Sequence, residues 1–339
     1  MKALVTGGAG FIGSTLVDRL LAEGWAVDVI DDLSSGKLAN LSSARADREH
    51  EFHFHQLDIC DPATVEVVER RAPDVVFHLA AQIDVRVSVA DPALDARINV
   101  IGSLHVLEGA RRAGAQKVVF ASSGGTIYGD VDPDDLPVGE AHVQAPVSPY
   151  GVSKKVVTDY LHTYRELHQL EYTSLALANV YGPRQDPHGE AGVVAIFAGR
   201  LLTGEPCRIF GDGSQTRDYV YVDDVVDAFV RSADRGSGLL CNIGTGRETS
   251  VVDLYATMAA AAGVDAAPEF APARAGELAR SALDAGRARI HLGWEPFTDL
   301  PTGSAAVLDW FRGPPQPGPE GSAAGTDPSA EDAAPDAPG

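Results

Sequence analysis

The sequence is short of sulfur, of positive charge and of long apolar runs. Three cysteines, Cys60, Cys207 and Cys241, are scattered through 339 residues. They are odd in number and lack metal-ligand spacing, so a disulfide framework and a zinc site are not expected and a reduced, cytoplasmic compartment is. Lys and Arg number 27 against 48 Asp and Glu, a formal net charge of -21. Such a chain repels nucleic acid and anionic membrane surfaces, and neither is expected as a partner. An anionic small ligand stays open, because it feels only the charge beside it. No apolar run is long enough to span a bilayer, and with a strand pattern starting at Lys2 no signal peptide is expected. The histidines, His53 and His55 among them, form no helical metal motif, so no metal is expected. No solenoid repeat is present.

What is present is core-forming material in an ordered alternation. Hydrophobic residues make up 45% of the chain, enough for one large or two modest domains. Strand patterns fall at residues 3–5, 26–30, 51–57, 74–77, 117–121 and 172–177. Helical patterns lie between them, including 62–71, a long run at 92–113, and the stretch from Ser148 onward. Alternation of this kind predicts an α/β fold, a doubly wound parallel sheet of Rossmann-like form with helices on both faces. From about residue 179 the pattern loosens into loops, with helices near 193–202 and 222–235, a short strand at 207–210, and a strand at 239–243 that returns to the sheet. The expected organisation is a dinucleotide-binding domain over 1–178 and a smaller substrate lobe over 179–312, with part of 220–243 returning to the first domain. A tail over 313–339, rich in Gly, Pro, Ala, Ser and acids, is expected to be disordered.

The motifs sit at strand ends. Gly7, Gly10 and Gly13 follow the first strand and open the first helix with Phe11 and Ile12. A dinucleotide turn needs glycine there, for a tight turn, for backbone approach to a pyrophosphate and for close helix–strand packing. The helix N-terminus then faces the phosphates. Asp31 ends the second strand where a ribose-binding acid belongs. A carboxylate there repels a 2′-phosphate, so NAD is favoured over NADP. The turn Asp32-Leu33-Ser34-Ser35-Gly36 is read with it, although these residues also suit a helix cap. Asp58 and Ile59, after the third strand, are placed beside the adenine, with a plain loop aspartate as the alternative. Ser148 as N-cap and Pro149 at the first helical position start a helix that carries Tyr150 and Lys154 on one face. A nearby ammonium favours phenolate, which makes a tyrosine a usable base.

With these motifs in order, together with His78-Leu79-Ala80-Ala81-Gln82, Asn99, Ser122-Ser123, Asn179-Val180-Tyr181-Gly182-Pro183-Arg184 and Arg217-Asp218-Tyr219-Val220, residues 1–312 resemble the extended short-chain dehydrogenase/reductase family. The likeness is strongest to its nucleoside-diphosphate-sugar 4-epimerases. It implies NAD as cofactor, lined by Leu79, Ala80, Ala81, Gln82 and Asn99. It implies a UDP-sugar substrate whose diphosphate is held by Asn179, Arg217 and Arg274, with Ser281 on the wall of the sugar pocket. It also implies a homodimer through the long helices. The reaction implied is reversible 4-epimerisation of a UDP-hexose through a 4-keto sugar, with glucose and galactose or their N-acetylhexosamine forms as substrates. One position departs from the pattern. The family places a Ser or Thr four residues before Tyr128 to assist the catalytic tyrosine, and here that residue is Gly124. Ser123 and Thr126 are the neighbouring hydroxyls, Ser123 being favoured. Dehydratases of the family carry an Asp-Glu pair in this loop and decarboxylases a Glu, whereas residues 124–127 read Gly-Gly-Thr-Ile. A non-catalytic NAD-binding regulator is the remaining alternative.

Overall fold

The computed structural model describes residues 1–187, 192–273 and 278–313. Seven parallel strands form the central sheet. They are β1 (Lys2–Thr6), β2 (Ala26–Asp31), β3 (Phe52–Gln56), β4 (Val75–His78), β5 (Lys117–Ser123), β6 (Glu171–Leu177) and, last in the chain, Leu239–Ile243. Their spatial order is Leu239–Ile243, β6, β5, β4, β1, β2, β3. The chain winds outward from β1 to β3, then crosses back to β4 on the other side of β1. A ligand crevice is expected outside the carboxyl ends of the strands at such a reversal. Thr6, Asp31, His78, Ser123 and Leu177 are the last residues of their strands and all lie along that edge.

Both faces of the sheet are covered. Leu4, Val76, Val118 and Phe120 are buried with Val68, Val106, Leu107, Val157 and Leu161 of the helices on one side. Ala3, Val5, Phe77, Val119 and Leu175 are buried on the other, with Leu16, Val17 and Leu20. This second cluster continues without a break into Phe197, Val220, Phe229, Leu254 and Leu308, so the second lobe shares its core with the sheet. The lobe adds three two-stranded pairings, Asn179–Tyr181 with Tyr219–Tyr221, Thr216–Arg217 with Thr249–Ser250, and Arg208–Phe210 with Glu269–Ala271.

The expected elements recur with local differences. The strand at 239–243 returns to the sheet as expected, and it pairs in parallel with β6. The helix expected over 222–235 ends at Arg231. The run expected as one helix over 92–113 is helical throughout but not uniform. It reads Pro92–Ala96, then a π-helical turn Arg97–Gly102, then Ser103–Ala113. A π turn widens the helix by one residue and changes which side chains face its neighbours. A Cβ on Gly102 would stand 2.8 Å from the Ile59 side chain, so this turn lies hard against the loop after β3. The expected tail beyond Gly313 lies outside the described residues.

Candidate active site

The glycine loop is a packing requirement before it is a binding motif. Gly7 has φ +70°, and a Cβ on it would lie 2.8 Å from the Ala80 nitrogen. A Cβ on Gly13 would lie 2.1 Å from the Gly7 oxygen. The helix Phe11–Ala22 begins at Gly10 with no side-chain cap and no acid in its first turn. Its opening amides, on Phe11, Ile12 and Gly13, have no preceding helical carbonyl to bond. They form an uncovered positive helix end of the kind that binds phosphate. The loop therefore fits a dinucleotide.

Asp31 closes the loop from below. Its Oδ2 accepts from Ala9 N at 2.9 Å and its Oδ1 from Leu33 N at 2.8 Å. Burial raises its pKa, and these amide bonds pull it back. Asp32 accepts from the Ser34 amide and hydroxyl. A Cβ on Gly36 would stand 2.7 Å from Asp31 Oδ1, so residues 31–36, Ser35 included, form one tight turn beside the phosphate end of the crevice. Asp58 is exposed, and its Oδ1 accepts from Cys60 N at 2.8 Å. Ile59 is turned into the core and its carbonyl accepts from His105 Nδ1, so only its amide is left for a ligand.

The loop after β4 is held from behind by buried side chains. Leu79 N and Ala80 N donate to Thr6 Oγ1, both at 3.2 Å. Gln82 N donates to Asn99 Oδ1 at 2.8 Å, and Asn99 Nδ2 donates to Gln82 O at 2.9 Å and to Asp95 Oδ1 at 2.9 Å. Asn99 is 2% exposed. Both ends of its amide serve the loop that carries Ala81 and Gln82, so it supports the crevice wall from inside. His78 bridges Thr6 Oγ1 (2.7 Å) and Ser103 Oγ (2.8 Å), and Ser103 Oγ donates to Asn99 O at 2.6 Å. That chain is satisfied with His78 protonated on Nε2 alone. Burial, with Lys154 nearby, pushes the His78 pKa down to about 3.

Ser148 Oγ accepts from Gly151 N at 3.2 Å and Pro149 occupies the first turn of the helix Pro149–His168. Tyr150 and Lys154 thereby reach the crevice together. Lys154 is 3% exposed and its ammonium donates to Ala121 O at 2.9 Å. The same ammonium lies 4.9 Å from the Phe120 ring centroid and 5.7 Å from that of Tyr150. Burial lowers the Lys154 pKa to about 8, against an opposing effect of Asp95. The Tyr150 phenol is pushed up to about 12 by burial, a hydrogen bond with Ser123 lowers it, and Asp95 raises it further. The expectation that the lysine makes this tyrosine a stronger acid has burial acting against it.

The same bond separates the two candidate hydroxyls. Ser123 acts to lower the Tyr150 pKa, whereas Thr126 Oγ1 turns back to the Ser123 carbonyl at 3.4 Å. Gly124 also has a physical reason. A Cβ there would lie 2.3 Å from Leu283 Cδ1 and 3.1 Å from Ala176 O. Leu283 fills the space that a side chain at 124 would need.

Across the crevice, Asn179 is exposed at the start of its strand and its amide donates to Asp218 O at 2.9 Å. Arg217 is half-buried and donates to the Thr216 carbonyl at 2.7 Å. Between them Asp218, 1% exposed, accepts from Thr245 N and Oγ1, Gly246 N and Leu283 N. Neither Asp218 nor Asp95 stood among the expected site residues. Ser281 sits in the segment anchored by Ala279 O to Thr216 N and by Ala282 O to Val138 N. A cavity of about 340 Å³ is lined by Phe210, Gln215, Leu278 and Arg280 among others, and Ser281 is not part of its lining. Arg274 lies outside the described residues.

Residues 3–244 match the NAD dependent epimerase/dehydratase family. The chain belongs to that family. A UDP-glucose 4-epimerase of Mycolicibacterium smegmatis is 52% identical over 313 residues, covering 92% of this chain and 99% of that protein. The crystal structure of a Thermotoga maritima UDP-glucose 4-epimerase with UDP-glucose matches with a TM-score of 0.87 at 46% identity, over 92% of this chain and 99% of the other. That of a Thermus thermophilus UDP-glucose 4-epimerase in complex with NAD matches with a TM-score of 0.84 at 42% identity, again over 92% and 99%. Membership establishes NAD as the cofactor that the glycine loop and Asp31 fit.

Because Leu283 occupies the space beside Gly124, Gly124→Ser is expected to cost about 1–3 kcal/mol through overpacking. The thermal midpoint should fall accordingly. An unchanged midpoint would mean that Leu283 yields without cost.

Proposed function

We propose that the protein catalyses NAD-dependent, reversible 4-epimerisation of a UDP-hexose, with UDP-glucose and UDP-galactose as its principal pair. The observation that carries this reading is the convergence of Tyr150, Ser123 and Lys154 at the carboxyl edge of the sheet, beside a loop that offers no acid. The relatives named above, described as UDP-glucose 4-epimerases, support the choice of sugar nucleotide. A dehydratase needs an acid and a base beside the tyrosine, and residues 124–127 contain no carboxylate. A regulator would have no use for a buried lysine under a cleft tyrosine.

In this reading Tyr150 is the base that takes the proton from the sugar 4-hydroxyl and returns it to that oxygen when the hydride comes back to the opposite face of C4. Ser123 shares its hydrogen bond with the phenolate and guides that proton. Lys154 holds the positive charge beneath the ring. When bound, NAD supplies a ring cation that favours the phenolate and a reversible acceptor for the C4 hydride. Gly7, Gly10 and the helix start at Phe11–Gly13 hold its pyrophosphate, and Asp31 with the turn 32–36 holds its ribose. Asp58 and the Ile59 amide sit at its adenine end, and Leu79–Gln82 line its other wall. Asn179, Arg217 and Arg274 clamp the substrate diphosphate, so the 4-keto sugar turns over without leaving. Exposed Ile101, Val152, Tyr160 and Leu167 on the long helices support a homodimer through that face. No helix among the described residues is long and apolar enough to cross a membrane, and the three free cysteines suit a reducing cytoplasm.

The tyrosine is tested by Tyr150→Phe, which removes the base and should cut turnover of UDP-glucose by about two to four orders of magnitude. NAD binding should largely survive. Near-normal turnover would sink the assigned mechanism.

Ser281 extends the reading to larger sugars. Leu283, two residues on, packs against Gly124 and makes a single bridge with Val138. In this reading Ser281 borders the sugar with a small side chain, leaving room for a 2-acetamido group. Both UDP-N-acetylhexosamines should therefore be epimerised. Ser281→Tyr should abolish their turnover while sparing the plain hexoses. Failure of the unmodified protein on both acetamido sugars refutes the assignment.

A further inference from the structure

Asp95 has no exposed surface. Its carboxylate is held by three neutral donors from three elements. Oδ1 accepts from Gln82 Nε2 at 3.0 Å and from Asn99 Nδ2 at 2.9 Å, and Oδ2 accepts from Ser153 Oγ at 2.5 Å. Ser153 lies beside Lys154 on the helix that also presents Tyr150. A buried carboxylate is costly unless a positive charge offsets it. If Asp95 only tied these three elements together, a neutral amide could make the same bonds. Its Oδ1 would accept from Gln82 and Asn99, and its Nδ2 would donate to Ser153.

The charge it acts on is Lys154, one residue along the helix from Ser153 and buried with Asp95, without a direct ion pair between the two. From β5 the ammonium meets only an uncharged carbonyl, Ala121 O, and the Phe120 ring. From β4 it is faced by His78, which burial keeps neutral. From its own helix it is faced by Tyr150, and from the Pro92–Ala96 helix by Asp95. Resting on the epimerase reading, we propose that Asp95 is a positioning residue, the buried counter-charge of Lys154 that keeps the ammonium charged in the dry site and so sets the pH window in which Tyr150 and Lys154 act together. An anion favours the ammonium and disfavours the phenolate, so it moves both titrations to higher pH. The interaction with Asp95 acts in that direction on both groups. Activity needs phenolate, which appears as pH rises, and ammonium, which is lost as pH rises. Removing the Asp95 charge therefore moves both limbs of the profile to lower pH.

The test is the pH–rate profile of the NAD-loaded protein on UDP-glucose for wild type and Asp95→Asn. A second readout without substrate is the phenolate absorbance near 295 nm, taken as the difference between each protein and its Tyr150→Phe counterpart. Both limbs, and the phenolate band, are expected about one pH unit lower in Asp95→Asn. Limbs and band at their wild-type positions, with only a lower rate, would overturn the proposal. Ser153→Ala breaks one of the three bonds and keeps the charge, so both limbs should stay in place. An equal shift in that variant would show that packing sets the window and would also overturn it. Asp95→Ser, which leaves room for a water, is read the same way should the asparagine variant not fold. If the wild type turns over no UDP-glucose, the epimerase reading fails, and the phenolate titration still decides for or against Asp95.

Discussion

An ammonium buried at the carboxyl edge of a parallel sheet is the constraint on which the rest of the site depends. Lys154 is 3% exposed and bonds a strand carbonyl, Ala121 O. A charge so placed fixes the helix Pro149–His168 against β5 and leaves little freedom in where Tyr150 stands. It also fixes the chemistry around it. His78 must be neutral, a carboxylate is tolerated in Asp95, and the tyrosine ring lies over the charge. The surrounding polar chain, Thr6 to His78 to Ser103 to Asn99, joins the glycine loop to the loop after β4 through buried hydrogen bonds. The cofactor side and the proton-transfer side are therefore parts of one connected structure.

The electrostatics of the crevice have a direction. Burial raises the Tyr150 pKa and presses Lys154 toward neutrality. Ser123, by bonding the phenolate form, works against that tendency. A cationic ring entering the crevice would favour the phenolate further.

Much of this was legible in the residues, and for a physical reason. Gly7 and Gly13 stand where backbone approaches backbone too closely for a Cβ, and such positions dictate residue type locally. Ser148, Pro149, Tyr150 and Lys154 are tied by helix geometry within a single turn or two. The π turn at Arg97–Gly102 was not legible, because no short pattern distinguishes it from an ordinary helix. Asp95 was not legible either. An acid on a helix reads as a solvated face, and its partner Ser153 is 58 residues away. The effect of burial on Tyr150 was not legible, because spacing reveals the neighbouring charge but not the loss of water. Gly124 was legible as a departure, yet only Leu283, far along the chain, explains it.

The account's central claim is that C4 of the sugar is oxidised and reduced again inside one closed site. UDP-glucose carrying deuterium at C4 tests it directly. The account predicts UDP-galactose that keeps the deuterium at C4, with none released to water. Loss of the label to solvent, or its retention in an unchanged substrate after long incubation, would contradict it.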